Sequence, residues 1–408
     1  MSARSPRVVV VGASLSGLRF AEALAAESDP GSILVLGEEP HVPYNRPPLS
    51  KGALTKPPSP DAVALPRRSV VDGAGWRLGE PVVAADLAQR QLRLRDGDVV
   101  SFDVLVAATG VRPRRLPLPG PAGGRFVLRT VADAAALHPE LRPGARVVVV
   151  GAGFLGCEVA ATAVKLGCRV DVVAIDEEPM FRPFGAEVGA AIRRRHEVRG
   201  VRFHLGRGVA AFHGMDRVRG VSLDDGTELD ADVVIEAVGS LPNTEWLAGN
   251  GLDLSDGVLT DACFRAGFSA PVYAVGDVAR FPNPFFDEVP RRIEHWNLAI
   301  DTGRAAARSV LAELRGAQAT VEQQIVPYFW SDQYELKIQA YGAPGLGTRT
   351  ELLEGALDDR CAVGYYAGRR LVGVALLGLP RAAMTYRGRI VESAAADGWA
   401  VTPAGGTR

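Results

Sequence analysis

Two copies of one pattern constrain this chain more than any other feature. Each runs through a β-branched strand, a Gly-rich turn, a helical stretch and a second apolar strand. The first copy is Arg7-Val-Val-Val-Val-Gly12-Ala-Ser14-Leu-Ser16-Gly17, an Ala/Leu-rich segment, then Ser32-Ile-Leu-Val-Leu36. The second is Arg146-Val-Val-Val-Val-Gly151-Ala-Gly153-Phe154-Leu155-Gly156, a helix to about Leu166, then Arg169-Val-Asp-Val-Val173. This is the form of a dinucleotide-binding βαβ unit. Such a turn aims backbone N–H groups and the positive end of a helix dipole at a pyrophosphate, and its small residues let the phosphate approach. Two turns in full context imply two dinucleotides, a far more specific signal than a lone G-x-G-x-x-G. Ser14 stands at the middle glycine of the first copy, crowding the phosphate slightly while offering a hydroxyl.

A carboxylate about 20 residues past the turn accepts hydrogen bonds from a ribose. Glu38 has that place in the first copy, and we assign it to the adenosine ribose of the first dinucleotide. In the second copy Ala174 holds the strand end and Asp176, Glu177 and Glu178 follow, with no arginine at that position. A 2′-phosphate would meet three carboxylates, so NADH is favoured over NADPH, with Asp176 as the displaced ribose ligand.

The rest of the chain fits a discontinuous plan. Val104-Leu-Val-Ala-Ala-Thr109-Gly110 and Val233-Val-Ile-Glu-Ala-Val238-Gly239 come late in each half and read as crossovers, flanked by Pro-rich linkers. From about Ala319 short alternating segments such as Leu336–Tyr341 and Cys361–Tyr366 suggest a small antiparallel cap. The expected fold is α/β, with two Rossmann-like domains of the glutathione reductase kind and a small C-terminal α+β domain. Residues 1–111 and 237–318 form the first domain, 112–236 the nucleotide domain and 319–408 the cap.

Composition narrows the function by exclusion. Basic and acidic side chains number 46 and 47, which argues against nucleic acid and anionic membranes as partners. Apolar runs are strand-sized, far short of the ~20 residues that span a bilayer. The N-terminus, with Arg4 and Arg7, lacks the h-region of a signal peptide, so the cytoplasm is the expected location. The chain should fold throughout, excepting its Gly-rich last residues. Cys157, Cys168, Cys263 and Cys361 form no C-x-x-C pair; they read as reduced packing residues, with no metal site and no redox disulfide.

A loop then supplies the most specific string, Pro43-Tyr-Asn-Arg46-Pro-Pro-Leu-Ser-Lys51-Gly52, whose prolines should hold it extended and present Arg46 and Lys51. It resembles the hallmark of FAD-dependent ferredoxin reductases serving Rieske oxygenases and haem monooxygenases, with Asn45 where Asp is common. Four further stretches share the resemblance across nearly the whole chain: Gly151 to Ala160, Tyr273-Ala-Val-Gly276-Asp277, Arg292-Ile-Glu294-His-Trp296-Asn, and Tyr328-Phe-Trp330-Ser-Asp-Gln333-Tyr.

The resemblance implies an FAD held by Gly12, Ser14, Ser16, Gly17, Glu38, Arg46, Lys51, Val82, Thr109, Gly110, Arg129, Gly276, Asp277, Glu294 and Trp296. It implies NADH held by Gly151, Gly153, Phe154, Leu155, Gly156, Glu158, Asp176 and Gly239. Lys51 and Glu158 are expected to meet beside the flavin N5, although on its own terms Glu158 reads equally as a helix-dipole partner. Trp296 and Trp330 either pack the core or shield the isoalloxazine. The implied activity passes electrons from NADH singly to an iron–sulfur ferredoxin and so, indirectly, to an oxygenase. No side chain is expected to act as nucleophile or obligatory proton donor. Open alternatives are a rubredoxin or ascorbate-radical reductase, a cysteine-free NADH oxidase, and an NADH-sensing protein similar to apoptosis-inducing factor. Arg291, Arg292 and Arg304 form a candidate docking patch, the cluster Arg193-Arg-Arg195 to Arg202 reads as a solvated helix surface, and a monomer is expected.

Overall fold

The computed structural model describes residues 6–267, 270–320 and 325–396. Arg4 and the Gly-rich last residues, on which two expectations above rest, lie outside them. Among the described residues the α-helices are α1 (Leu15–Ala25), α2 (Val131–Leu137), α3 (Phe154–Lys165), α4 (Phe181–Glu197), α5 (Trp296–Leu314) and α6 (Ala383–Ala396).

The first β-branched run, Val8–Val11, is buried at every residue. It pairs in parallel with Ile33–Gly37 on one side and Val104–Ala107 on the other. A strand covered on both faces needs apolar groups on both, which is why this run is continuous rather than alternating. The sheet extends to Gly75–Leu78 at one edge and to Val272–Ala274 at the other, so chain from both ends of the sequence builds one layer. Helices α1 and α5 pack together so closely that a Cβ on Gly303 would collide with the Ser16 carbonyl.

Arg146–Val150 repeats the arrangement between Arg169–Ala174 and Val233–Glu236 in a second parallel sheet. Burying each valine of these two runs contributes roughly 1.5–3 kcal/mol. Val104–Ala107 and Val233–Glu236 are therefore central strands, and the crossing between sheets comes just after them. Val111–Pro113 pairs there antiparallel with Ser240–Pro242.

The third layer is a five-stranded antiparallel sheet in the order Tyr328–Gln333, Leu336–Gly342, Arg370–Leu377, Cys361–Ala367, Arg349–Gly355. Its core is shared with Cys157 of α3 and with Phe184, Val188 and Ile192 of α4. The cap thus sits on the second nucleotide-binding unit, and that contact closes the site. Two Rossmann-like units plus an α+β cap make this the expected α/β fold.

Candidate active site

A cavity of about 490 Å³ opens where the two glycine turns, the Pro-rich loop, the start of α5 and the cap converge. Ligand pockets fall in the range of about 300–1,000 Å³. Its walls include Ser14, Ser16, Gly153, Phe154, Leu155 and Gly239 from the expected nucleotide contacts.

Both turns have the steric form a dinucleotide requires. Gly12 and Gly151 hold φ of +123° and +108°, and a Cβ on either would strike the carbonyl of Ala108 or Ala237 on the neighbouring strand. A Cβ on Gly17 or Gly156 would strike the carbonyl of Gly12 or Gly151, closing helix onto strand. Gly153, by contrast, faces open space, the room a pyrophosphate needs at the first turn of α3.

Lys51 and Glu158 meet in this cavity, Nζ to Oε2 at 2.7 Å, with side-chain exposures of 21 % and 9 %. The Pro-rich loop delivers Lys51, and α3 delivers Glu158 one turn past Gly153. Ser50 Oγ donates to Glu158 Oε2 at 2.5 Å, Ser331 Oγ donates to Oε1 at 2.7 Å, and Thr162 on α3 pins the loop by donating to the Ser50 carbonyl at 2.8 Å. A helix-dipole role alone would not need three donors on a carboxylate this far inside.

A second ion pair faces the same space. Arg129 Nη2 lies 2.9 Å from Asp277 Oδ2. Asp277 follows Gly276, whose positive φ of +70° and contact with Ser16 bring it against α1. Arg46 donates to the Arg129 carbonyl at 2.8 Å and pairs with Glu39 at 2.6 Å. Tyr44, which donates to Glu39, has its hydroxyl pushed up to about 12, chiefly by burial. Glu294 pairs with Arg292 and accepts from Ser240. Trp296 opens α5 at the cavity edge, and Trp330 lies opposite, stacked on Tyr328 at 5.8 Å. Thr109 and Gly110 tie the crossover, with Thr109 Oγ1 donating to the Asn243 carbonyl at 2.7 Å.

Three expected contacts stand apart from the cavity. Glu38 is exposed just past the strand Ile33–Gly37, paired with Arg95 at 3.6 Å. Val82 begins Val82–Asp86, a strand of a separate three-stranded sheet, one residue beyond Pro81, whose carbonyl accepts from the Arg95 amide. Both therefore flank one end of the first unit, where an adenosine would lie. Asp176 sits past the end of Arg169–Ala174 in the second unit.

Several expectations need correction. The Pro-rich loop is not extended: Pro47–Ser50 and Gly52–Leu54 are 3₁₀ turns, because the φ that proline fixes suits a tight turn as well as an extended segment. The tract after Ala174 does not lack a cation, since Arg182 lies 3.4 Å from Asp176. Arg291 and Arg292 are neutralised by Asp287 and by Asp256 with Glu294, which leaves Arg304 as the exposed member of the proposed patch. Nor is Arg193 to Arg195 a merely solvated surface. Arg193 pairs with Glu178, Arg194 with Asp358, and Arg195 donates to the Leu357 and Asp359 carbonyls, stapling α4 to the cap. Cys263 is half-buried rather than buried like the other three cysteines.

Sequence reasoning missed four site groups. Glu236 is fully buried yet lines the cavity, held by Arg125 at 3.1 Å and the Leu116 amide at 2.6 Å. His295 has an Nδ1 sealed from solvent without a hydrogen-bond partner among the described residues, and burial lowers its pKa to about 4. Ser50 and Ser331 are the Glu158 donors. A polar residue ending the otherwise apolar strand Val233–Glu236 was the available signal for Glu236.

The glycine turns, the paired Arg129 and Asp277, and the orphaned His295 nitrogen fit an FAD along the first unit, and Gly153 fits a second dinucleotide. Residues 6–303 match the family described as pyridine nucleotide-disulphide oxidoreductase, and residues 328–402 match the reductase C-terminal family. Rhodocoxin reductase of Rhodococcus erythropolis is 34 % identical over 385 residues, covering 93 % of this chain and 88 % of the relative. The anthranilate 1,2-dioxygenase system ferredoxin–NAD(+) reductase component of Burkholderia cepacia is 37 % identical over 354 residues, covering 84 % and 83 %. The crystal structure of the covalent putidaredoxin reductase–putidaredoxin complex superposes with a TM-score of 0.87 at 30 % identity, covering 95 % of this chain and 94 % of that one. The chain belongs to the pyridine nucleotide-disulphide oxidoreductase family and carries a reductase C-terminal domain.

Proposed function

We infer that this protein is an FAD-dependent NADH:ferredoxin reductase, delivering electrons to a small iron–sulfur protein that serves an oxygenase. The observation that carries this reading is a cysteine-free cavity in which Lys51 and Glu158 meet between two dinucleotide turns. Disulfide chemistry has no thiol to use there. Cys157, next to Glu158, is buried, bonded weakly to the Ala152 carbonyl, and its thiol pKa is driven far up by desolvation. The relatives named above are reductases of ferredoxin-type electron carriers, which supports the acceptor.

FAD, when bound, supplies the conversion between the two-electron chemistry of a nicotinamide and the one-electron chemistry of an iron–sulfur centre. The protein's part is position and electrostatics. Arg129 and Asp277 would hold the middle of the FAD, with Glu38 and Val82 at its adenosine end. Lys51 and Glu158 bring an internally neutralised pair into a site largely closed to water, where each charge alone would be costly. Trp296 and Trp330 cover the opening and exclude solvent. Gly151 to Gly156 and Asp176 would seat NADH, with Arg182 holding Asp176. We propose 1–111 with 237–318, 112–236 and 319–408 as the FAD, NAD and cap units.

Arg304, exposed on α5, supports docking of an acidic partner near the cap. No helix among the described residues is long and apolar enough to cross a membrane, and dependence on NADH fits a cytoplasmic setting.

The test is anaerobic mixing of the yellow protein with NADH and then with NADPH, followed by a ferredoxin and cytochrome c. Rapid bleaching by NADH, with cytochrome c reduced only after ferredoxin is added, is the expected result. Slow bleaching into a stable long-wavelength band without relay would overturn it.

A further inference from the structure

On the strand Tyr328–Gln333 the buried positions alternate as Phe329, Ser331 and Gln333. Two of the three are polar, on a face where an unpartnered hydroxyl or amide costs about 1–3 kcal/mol. Ser331, Gln333 and His196 are 0 %, 1 % and 1 % exposed, and together they form a continuous chain. Ser331 Oγ is 2.7 Å from Glu158 Oε1, Gln333 Nε2 is 3.0 Å from Ser331 Oγ, His196 Nε2 is 2.8 Å from Gln333 Oε1, and Tyr334 Oη is 3.2 Å from His196 Nδ1.

The carboxylate fixes the direction of every link. An ionised Glu158 only accepts, so Ser331 donates to it and must accept from the Gln333 amide nitrogen. Gln333 then turns its oxygen to His196, whose Nε2 carries the proton and whose Nδ1 is left to accept from Tyr334. Burial favours the neutral imidazole this requires, lowering the His196 pKa. All four donors point toward Glu158, and such aligned bonds polarise one another. Tyr334 itself holds a left-handed φ of +56° in the two-residue turn before Leu336, a conformation that glycine or asparagine would adopt at lower cost. Its ring instead packs edge-on against His196 at 5.1 Å.

We propose that Ser331, Gln333 and His196 are positioning residues whose directional hydrogen-bond chain, running from α4 through the cap strand, holds the Glu158 carboxylate in place beside Lys51. The role rests on the reading of the cavity as a flavin site. Because Glu158 belongs to α3 and Ser331 to the cap, docking of the cap on the nucleotide unit becomes a condition for the correct charge arrangement. The Ser331 O–H dipole turns its positive end to the carboxylate. Without it, more negative potential reaches the flavin and reduction becomes harder.

The experiment compares Ser331→Ala, Gln333→Met, Ser331→Thr and Glu158→Gln, and combines Ser331→Ala with Glu158→Gln, all as FAD-loaded protein. Two quantities are read: the flavin midpoint potential by chemical titration, and the rate of flavin reduction at saturating NADH alongside the NADH Kd. Ser331→Ala should slow reduction about tenfold and lower the potential by about 30 mV, the tenfold equivalent for a two-electron couple, without changing the Kd. Gln333→Met should act in the same direction with smaller size, and Ser331→Thr should restore both quantities. In the Glu158→Gln background, where there is no carboxylate charge to hold, Ser331→Ala should have a much smaller effect. Unchanged potentials in Ser331→Ala and Gln333→Met, or an equal effect of Ser331→Ala with and without Glu158, would overturn the proposal. If the unaltered protein is not reduced by NADH, the nucleotide reading fails instead, and the chemically titrated potentials still decide the role of Ser331.

Discussion

Replacing Lys51 by methionine keeps the length and packing of the side chain and removes the cation from Glu158. The carboxylate would remain 9 % exposed and lose its partner at 2.7 Å. Breaking a fully buried pair from one side costs about 3–5 kcal/mol. Here Glu158 keeps Ser50 and Ser331 as donors, and Lys51 is 21 % exposed; we expect about 2–3 kcal/mol, below that range. Glu158→Gln is not equivalent. It leaves the Lys51 ammonium with partial access to water and with the Pro47 carbonyl at 3.1 Å, and Gln still accepts from Ser331, so its cost should be about 1 kcal/mol. The double variant buries no lone charge. It should therefore be more stable than Lys51→Met alone, with a coupling of about 1–2 kcal/mol.

The assay is urea unfolding of the four FAD-loaded proteins in one buffer, followed by flavin release and tryptophan emission, so that differences carry the result. A double variant no more stable than Lys51→Met would refute the claim that Lys51 neutralises a buried charge. Both single variants should retain FAD and show slower flavin reduction by NADH. If hydride transfer is unchanged in both, the pair has no part in the chemistry.

Asp277→Ala leaves Arg129 without its 2.9 Å partner and should weaken FAD retention at least tenfold, about 1.4 kcal/mol, read by flavin fluorescence after dilution; full retention would remove Asp277 from the site. Asp176→Ala frees Arg182 and should raise the NADH Michaelis constant while lowering that for NADPH, and an unchanged ratio would exclude both residues from the ribose end. His295, with its pKa lowered to about 4, is kept neutral by the fold. Its contribution is thus complete above pH 6.5 and is lost as the pH falls toward 4, by about 2 kcal/mol at pH 5. Denaturant midpoints across that window should fall less for His295→Leu than for the unaltered protein; parallel curves would show that another group titrates.

What the sequence made legible follows from how local each feature is. Gly17 and Gly156 could be read because close approach of strand and helix is a property of a few adjacent residues, and any side chain there collides with the Gly12 or Gly151 carbonyl. Pro47 and Pro48 marked the loop but not its shape, since a fixed φ leaves ψ undecided between an extended segment and a 3₁₀ turn. Arg182 was invisible as a partner of Asp176 because Met180, just before α4, takes a left-handed φ of +53°, which turns the chain back between the two residues. Arg291 and Arg292 suggested a positive patch only while Asp287 and Asp256 were out of view.

The hardest case is also the most informative. Alternation along Tyr328–Gln333 is readable, but which face is buried is not, and the aromatic Tyr328 and Trp330 make a plausible inner face. The structure buries the other one, because Phe329 completes the cluster with Phe154 and Phe184 while Tyr328 and Trp330 stack on each other on the opposite face. That choice forces Ser331 and Gln333 inside, where they are tolerable only because Glu158 and His196 stand at either end to bond them. Glu158 in turn is tolerable only because Lys51 arrives from a loop more than a hundred residues away. Each polar group is anomalous by itself, and the anomalies cancel only at one site, so strands whose polar residues fall on the apolar face are where a chain of this kind should first be searched for its chemistry.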